Sequence, residues 1–186
     1  MRLAWLAVLA AAVAAAPAPR KTPSPAEAVA ALVGVAAPAG WTRSAYSNAG
    51  GADPVVAFER GADRLVVRVF GAPGSFYATP ADFLKGPAAT TLGRRPDRAG
   101  SARVSGRRVR VWRRSFPLDD EDPHTPYLRR RRMGGEYFCV LPPAPDGRFV
   151  VLSWQRSGPG FDPSHAGKRA WEAFLKTVVL RAVRRS

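Results

Sequence analysis

Nine arginines fall within residues 94–114: Arg94, Arg95, Arg98, Arg103, Arg107, Arg108, Arg110, Arg113 and Arg114, with Asp97 as the one acid in the run. A guanidinium presents a planar fork of donors that matches phosphate and carboxylate oxygens two at a time. If residues 107–116 are extended, alternation sends Arg108, Arg110, Trp112 and Arg114 to one face. That stripe suits the phosphates of anionic lipid or lipopolysaccharide, or the carboxylates of an acidic protein partner. The candidate anion- or partner-binding residues are therefore Arg94, Arg95, Arg107, Arg108, Arg110, Trp112, Arg113 and Arg114. The plainer alternative is that the arginine stems cover apolar surface while their heads sit in water.

Other chemistries find less support. Cys139 is the single cysteine, and a thiol nucleophile needs a nearby base, for which His124 and His165 are the two histidines in the chain. Between Phe138 and Val140, Cys139 reads as a buried small hydrophobe. The run Asp119-Asp120-Glu121-Asp122-Pro123-His124 has carboxylates for a cation, but its spacing fits no calcium loop, and a solvated acidic loop is the better reading. Arg129-Arg130-Arg131-Arg132 follows it with opposite charge, and exposed pairs of this kind contribute roughly 0–1 kcal/mol each, a loose tether. There is no Gly-x-Ser-x-Gly, phosphate-binding loop or dinucleotide fingerprint, so no cofactor or metal is implied. A hydrolase built on scattered carboxylates such as Glu59, Asp63 and Glu136 is the alternative, because such pairs are assembled in three dimensions.

The chain of 186 residues is 46% hydrophobic and 23% charged, ordinary for one globular domain. Lys and Arg number 29 against 14 Asp and Glu, a net charge of +15 that favours anionic partners. All but four of the basic residues are arginines, and with abundant Ala, Gly and Pro that skew is also what GC-rich coding produces. Residues 1–16 have the form of a secretory signal: Met1-Arg2, an apolar run from Leu3, and small residues at Ala12, Ala14 and Ala16. The run is shorter than the roughly 20 residues that span a bilayer. Export to the periplasm or beyond the cell is expected, and without Arg2 the balance falls to 28 basic and 14 acidic side chains, a net of +14. A lone cysteine provides no internal disulfide in a compartment that permits one, so the core must supply stability.

Several elements must position these residues. Residues 17–37 read as a Pro/Ala-rich linker with a short helix, started by Ser24, Pro25 and Glu27 and closed by Gly34. A single α+β domain is expected over 38–186. Strands 55–60 and 64–70 flank the turn Gly61-Ala62-Asp63; Thr79-Pro80 starts a short helix that stops at Gly86-Pro87; residues 90–100 read as an exposed loop. Strands 102–104 and 107–116 meet across Ser105-Gly106, and 136–141 and 148–154 form another hairpin. Phe149-Val150-Val151-Leu152 is apolar on both faces and is the candidate central strand.

At the C-terminus Trp171, Phe174, Leu175, Val178, Val179 and Ala182 share one face of a helix, predicting an amphipathic helix that continues past residue 180. The expected fold class is thus α+β: a single twisted antiparallel sheet packed against a long C-terminal amphipathic helix, with short additional helices. The opening Pro38-Ala39-Gly40-Trp41, the Ser-Gly turn before a long strand, the run Phe149-Val150-Val151-Leu152-Ser153-Trp154 and Trp171-Glu172-Ala173-Phe174-Leu175 resemble the Mog1/PsbP-like α+β fold over about residues 38–180. The resemblance implies a mostly non-catalytic protein, in a group that includes photosystem assembly proteins, a nuclear transport factor and secreted bacterial lipoproteins. No functional residue carries over, and the absence of a lipobox cysteine departs from the lipoprotein branch.

Residues and resemblance together predict an exported, non-catalytic binding protein of the bacterial envelope with an arginine-rich face. Nucleic acid is a poor fit, since export removes the usual ligand and no recognition motif is present.

Overall fold

The computed structural model describes residues 22–91, 93–117, 133–157 and 166–181. Among these residues, nine strands and three α-helices follow in the order α1 (Pro25–Ala30), β1 (Val33–Gly34), β2 (Thr42–Asn48), β3 (Asp53–Arg60), β4 (Asp63–Phe70), α2 (Pro80–Lys85), β5 (Asp97–Val104), β6 (Arg107–Pro117), β7 (Met133–Val140), β8 (Phe149–Arg156), α3 (Ala166–Thr177) and β9 (Val179–Leu180). Seven strands form one antiparallel sheet in the order β2-β3-β4-β8-β7-β6-β5, and β1 pairs with β9 in a separate two-stranded sheet.

The expected fold class is corrected by this layout. Among the described residues the protein is mostly β, its helices are short at six, six and twelve residues, and no long C-terminal helix is present. The apolar period of 3.6 is real as far as Val178: Trp171, Phe174, Leu175 and Val178 are buried. The helix nevertheless ends at Thr177, and Val179, expected on its buried face, is exposed in β9. The β-branched run Thr177-Val178-Val179 is a weak helix former. A competing set of partners is also present. Val179 and Leu180 pair with Gly34 and Val33, and the Arg181 amide donates to the Leu32 carbonyl at 2.9 Å. Ala182 lies outside the described residues.

Ser105 fastens that arrangement. Ser105 and Gly106 turn between β5 and β6 with φ of 47° and 75°, the positive pair a tight primed hairpin requires. From this tip the Ser105 hydroxyl donates to the Val178 carbonyl and accepts from the Leu180 amide, each at 2.8 Å. Ser105→Ala removes both bonds and strands two backbone groups, an expected loss of about 1–3 kcal/mol. Thermal unfolding of the variant checks this, and an unchanged Tm would show that the tip does not hold the C-terminal strand.

The sheet is covered in two layers of core. On one face Val56, Phe58, Leu65, Val67, Leu152, Trp154, Tyr137, Cys139 and Val111 pack with α1 and α3, and the Phe58 and Phe174 rings lie 5.9 Å apart. Val29, Leu32 and Val33 belong to this core, so the segment read as linker contributes packing from α1 onward. On the other face Phe70, Phe138, Phe149 and Val151 sit beneath α2, whose Phe83 is fully buried among three of those rings at 5.4–6.5 Å. The helix is capped as its sequence suggests, with the Thr79 hydroxyl accepting from the Asp82 amide. Between the layers lies β8, fourth of seven strands and buried from Phe149 to Trp154, as its two-sided apolar run predicts. Gly71 must be glycine where β4 leaves the sheet: its φ is 89°, and a Cβ there would sit 2.7 Å from the Gly147 carbonyl.

Candidate anion-binding face

The β5–β6 hairpin forms one edge of the large sheet, with β5 outermost. Its register sets which arginines share a face. Arg110 pairs with Ser101, Arg108 with Arg103 and Trp112 with Arg98, so these six side chains leave the hairpin on the same side. A β-bulge between Arg98 and Gly100 inserts Ala99 and bends the edge locally. Beside it Arg98, Gly100, Ser101, Arg108, Val109 and Arg110 line an open groove of about 390 Å³. Arg98, Arg103, Arg108 and Arg110 are exposed, and among the described residues no carboxylate lines this groove.

Two contacts order the groove. Arg108 Nε donates to the Ser101 hydroxyl at 3.0 Å, and the Arg110 guanidinium lies 5.2 Å from the centre of the half-buried Trp112 ring. Stacking on an indole is worth about 0.5–1 kcal/mol at an exposed site and limits the directions in which the guanidinium points. Positive charge on an outermost strand also discourages another strand from pairing there. That accounts for some charge on β5, but not for its convergence with two β6 arginines around a concavity.

The other candidates are dispersed. Arg114 has the strand phase of Arg108 and Arg110 but turns inward, placing Nε 2.5 Å from Glu136 Oε2 and NH1 3.4 Å from the Thr90 carbonyl. Arg107 and Arg113 leave the opposite face, where Arg113 pairs with Asp97 at 3.4 Å. Arg94 and Arg95, on the turn before β5, line a separate concavity of about 260 Å³ with Arg113 and Arg114. The stripe is therefore real for Arg108, Arg110 and Trp112, and the sequence reading left out Arg98 and Arg103 as members. Their signal was present in the nine-arginine run, but Gly100 and the bulge break the alternation that would have revealed their phase.

The carboxylates proposed for hydrolysis are each held by arginine. Glu59 pairs with Arg64 at 2.9 Å, and Asp63 accepts from Trp154 Nε1 at 2.9 Å and from Arg156 at 3.3 Å. Glu136, buried in the sheet, meets Arg68 at 3.4 Å, Arg114 at 2.5 Å and Gln155 at 3.0 Å. Burial alone raises its pKa, but the Arg68 and Arg114 charges outweigh that, and the carboxyl titrates below its ordinary range. A general acid needs the reverse shift.

Cys139 is fully buried, and desolvation pushes its thiol up to about 12. Near pH 8 only about one thiol in ten thousand is then ionised. Alkylation by iodoacetamide is expected in denaturant and not in buffer, as mass spectrometry can follow; rapid modification of the native protein would contradict this burial. His124, His165, Asp119 to Asp122 and the four arginines from Arg129 lie outside the described residues, as do residues 1–16. Among the described residues no cluster of His, Cys, Asp and Glu is large enough to hold a metal, and no helix is long and apolar enough to cross a membrane.

Comparison with protein-family models and with curated proteins found no match to this chain. The class of protein is thus defined by its own geometry: an antiparallel β protein with a cationic groove on one sheet edge.

Proposed function

We propose that this chain is an exported, non-catalytic binding protein of the bacterial envelope that holds phosphate-bearing anionic surfaces through the β5–β6 hairpin. The observation that carries the reading is the convergence of Arg98, Arg108 and Arg110 around one open groove, with Arg103 beside Arg108 on the same face. Forked donors from two strands can meet several phosphate oxygens at once, which a scattered net charge cannot do. The secretory form of residues 1–16 supports the location, and the resemblance to Mog1/PsbP-like proteins, mostly non-catalytic, points the same way. The alternative of a carboxylate hydrolase is disfavoured by the arginine pairing of Glu59, Asp63 and Glu136.

Vesicles of anionic and of neutral lipid over a salt series test the reading, beside a globular protein of equal net charge. Selective capture by anionic vesicles, beyond that control and falling steeply with salt, is the expected result. Capture no better than the control would make the charge compositional.

A further inference from the structure

Beyond β5 no described strand continues the sheet, so one side of its backbone is open. Which groups face outward follows from the turn. Ser105 and Gly106 make a two-residue loop, so Val104 and Arg107 form a hydrogen-bonded pair. Pairs alternate from there: Ala102 and Gly100 bond to β6, whereas the amides and carbonyls of Ser101 and Arg103 point away from it. Helix α3 runs alongside this free edge. Lys168 Nζ stands 6.0 Å from the centre of the Tyr137 ring, and Tyr137 is level, through Arg113, with Asp97 at the start of β5. Just past the end of the helix, the Val178 carbonyl meets the Ser105 hydroxyl at the hairpin tip. Between strand and helix lies a groove of about 400 Å³, bordered by the five consecutive β5 residues from Ala99 to Arg103 and by Lys168, Glu172 and Lys176. Trp171 and Leu175 at its base are buried and belong to the core.

We propose that this groove takes an extended acidic segment of a partner protein as an additional strand on β5, its backbone bonded to Ser101 and Arg103 and its carboxylates beside Lys168 and Lys176. The outward amides and carbonyls select a strand, which offers acceptors and donors in matching alternation. Charge selects an acidic one: Arg103, Lys168 and Lys176 border the groove against one carboxylate, Glu172. Lys176 forms no ion pair among the described residues, and Lys168 meets Glu172 at 3.9 Å in an exposed pair that contributes little. Lys168 and Lys176 are eight residues apart, about 12 Å along the helix. Strand residues four apart share a face and span about 13 Å, so two carboxylates at that spacing reach both ammonium groups. The cations that deter a neutral or basic strand from this edge do not deter an acidic one. The bulge after Arg98 limits the regular edge to residues 100–104, which keeps the added strand short. Arg108 and Arg110 leave the opposite face of the sheet, so the inference goes beyond the vesicle-binding reading and does not rest on it.

Calorimetric titration of the full chain with the capped peptide Thr-Glu-Thr-Thr-Thr-Glu-Thr tests the proposal, beside the same peptide N-methylated at every amide and a counterpart with Lys in place of Glu. Saturable binding of the first is expected. The N-methylated peptide, equal in charge but without amide donors, and the Lys peptide should each bind about tenfold more weakly or worse. Lys168→Ala with Lys176→Ala should weaken the acidic peptide by about fivefold or more. Ser101→Pro removes one outward amide and no donor of the ladder to β6, so it should weaken the acidic peptide by about tenfold. Thermal unfolding confirms that the variants fold; if Ser101→Pro does not, the N-methylated peptide and the lysine variant decide. No saturable binding of the acidic peptide, equal affinity for the N-methylated or the Lys peptide, or wild-type affinity in the lysine variant or in a folded Ser101→Pro protein would each overturn the proposal. The contrast between parent and N-methylated peptide is independent of vesicle capture, so either idea can fail alone.

Discussion

Glu136→Ala is expected to lower the stability of this protein by about 3–5 kcal/mol, the usual consequence of removing one member of a buried ion pair. Glu136 is 1% exposed and shared by two guanidiniums that are themselves mostly buried, Arg68 at 15% and Arg114 at 12%. Removing the carboxylate leaves two desolvated cations without this counter-charge on a strand next to the centre of the sheet. Urea denaturation measures the loss. A triple variant, Glu136→Leu with Arg68→Met and Arg114→Met, separates the cost of an orphaned charge from that of an altered strand. Because apolar replacements of similar volume are often neutral for buried ion networks, it should recover much of the lost stability. A Glu136→Ala protein as stable as wild type would show that the network contributes little.

The same carboxylate makes stability depend on pH in a definite direction. Its folded pKa lies below its unfolded value, so the native state binds fewer protons there than the unfolded chain. The contribution is complete above the unfolded value, about 4.3, and is lost as pH falls from there through the depressed folded value. Glu136→Gln removes this titration, so the gap between variant and wild type should narrow on acidification. A gap that stays constant down to strongly acid pH would assign the acid sensitivity elsewhere.

The largest functional effect is expected from reversing Arg108 and Arg110 together to Glu. A basic residue near an anionic membrane is worth roughly 1 kcal/mol, and each reversal replaces one attraction by one repulsion, so capture at low salt should fall by about two to three orders of magnitude. Both side chains are exposed, and the fold loses the stacking of Arg110 on Trp112 and the exposed hydrogen bond from Arg108 to Ser101. The matched control is Arg43→Glu with Arg169→Glu, the same change in net charge placed on the opposite edge strand and on α3. If the control loses capture as fully as the groove variant, net charge and not the groove is responsible. The reading of an arginine face would then be wrong.

How much of this was legible before folding depends on the range of the signal. The hairpins over residues 55–70, 102–116 and 136–154 were readable, because alternation and a Gly-bearing turn are local properties. The starts of α1 and α2 were readable for the same reason, as Ser24 and Thr79 bond amides three residues ahead. Strand β2 was not read: Thr42-Arg43-Ser44-Ala45-Tyr46-Ser47-Asn48 lies on an edge, largely in water, and carries no apolar alternation. The first half of β5 was hidden by Gly100 and its bulge.

The amino-acid sequence by itself determined that Phe149 to Leu152 must be central, since four consecutive apolar side chains need cover on both faces, and β8 is so placed. It also determined that positive charge would crowd the β5–β6 hairpin. Only the tertiary structure decided where the last helix stops, because the partners that convert Val179-Leu180 into strand come from Val33-Gly34 and Ser105, far away along the chain. It alone decided which arginines act together. Arg114 is drawn inward by a carboxylate on the next strand, while Arg98 and Arg103 join Arg108 and Arg110 through cross-strand register. The physical reason is common to both cases: periodicity records the face on which a side chain stands, whereas the partner it meets there is set by pairing between segments that sequence order does not bring together.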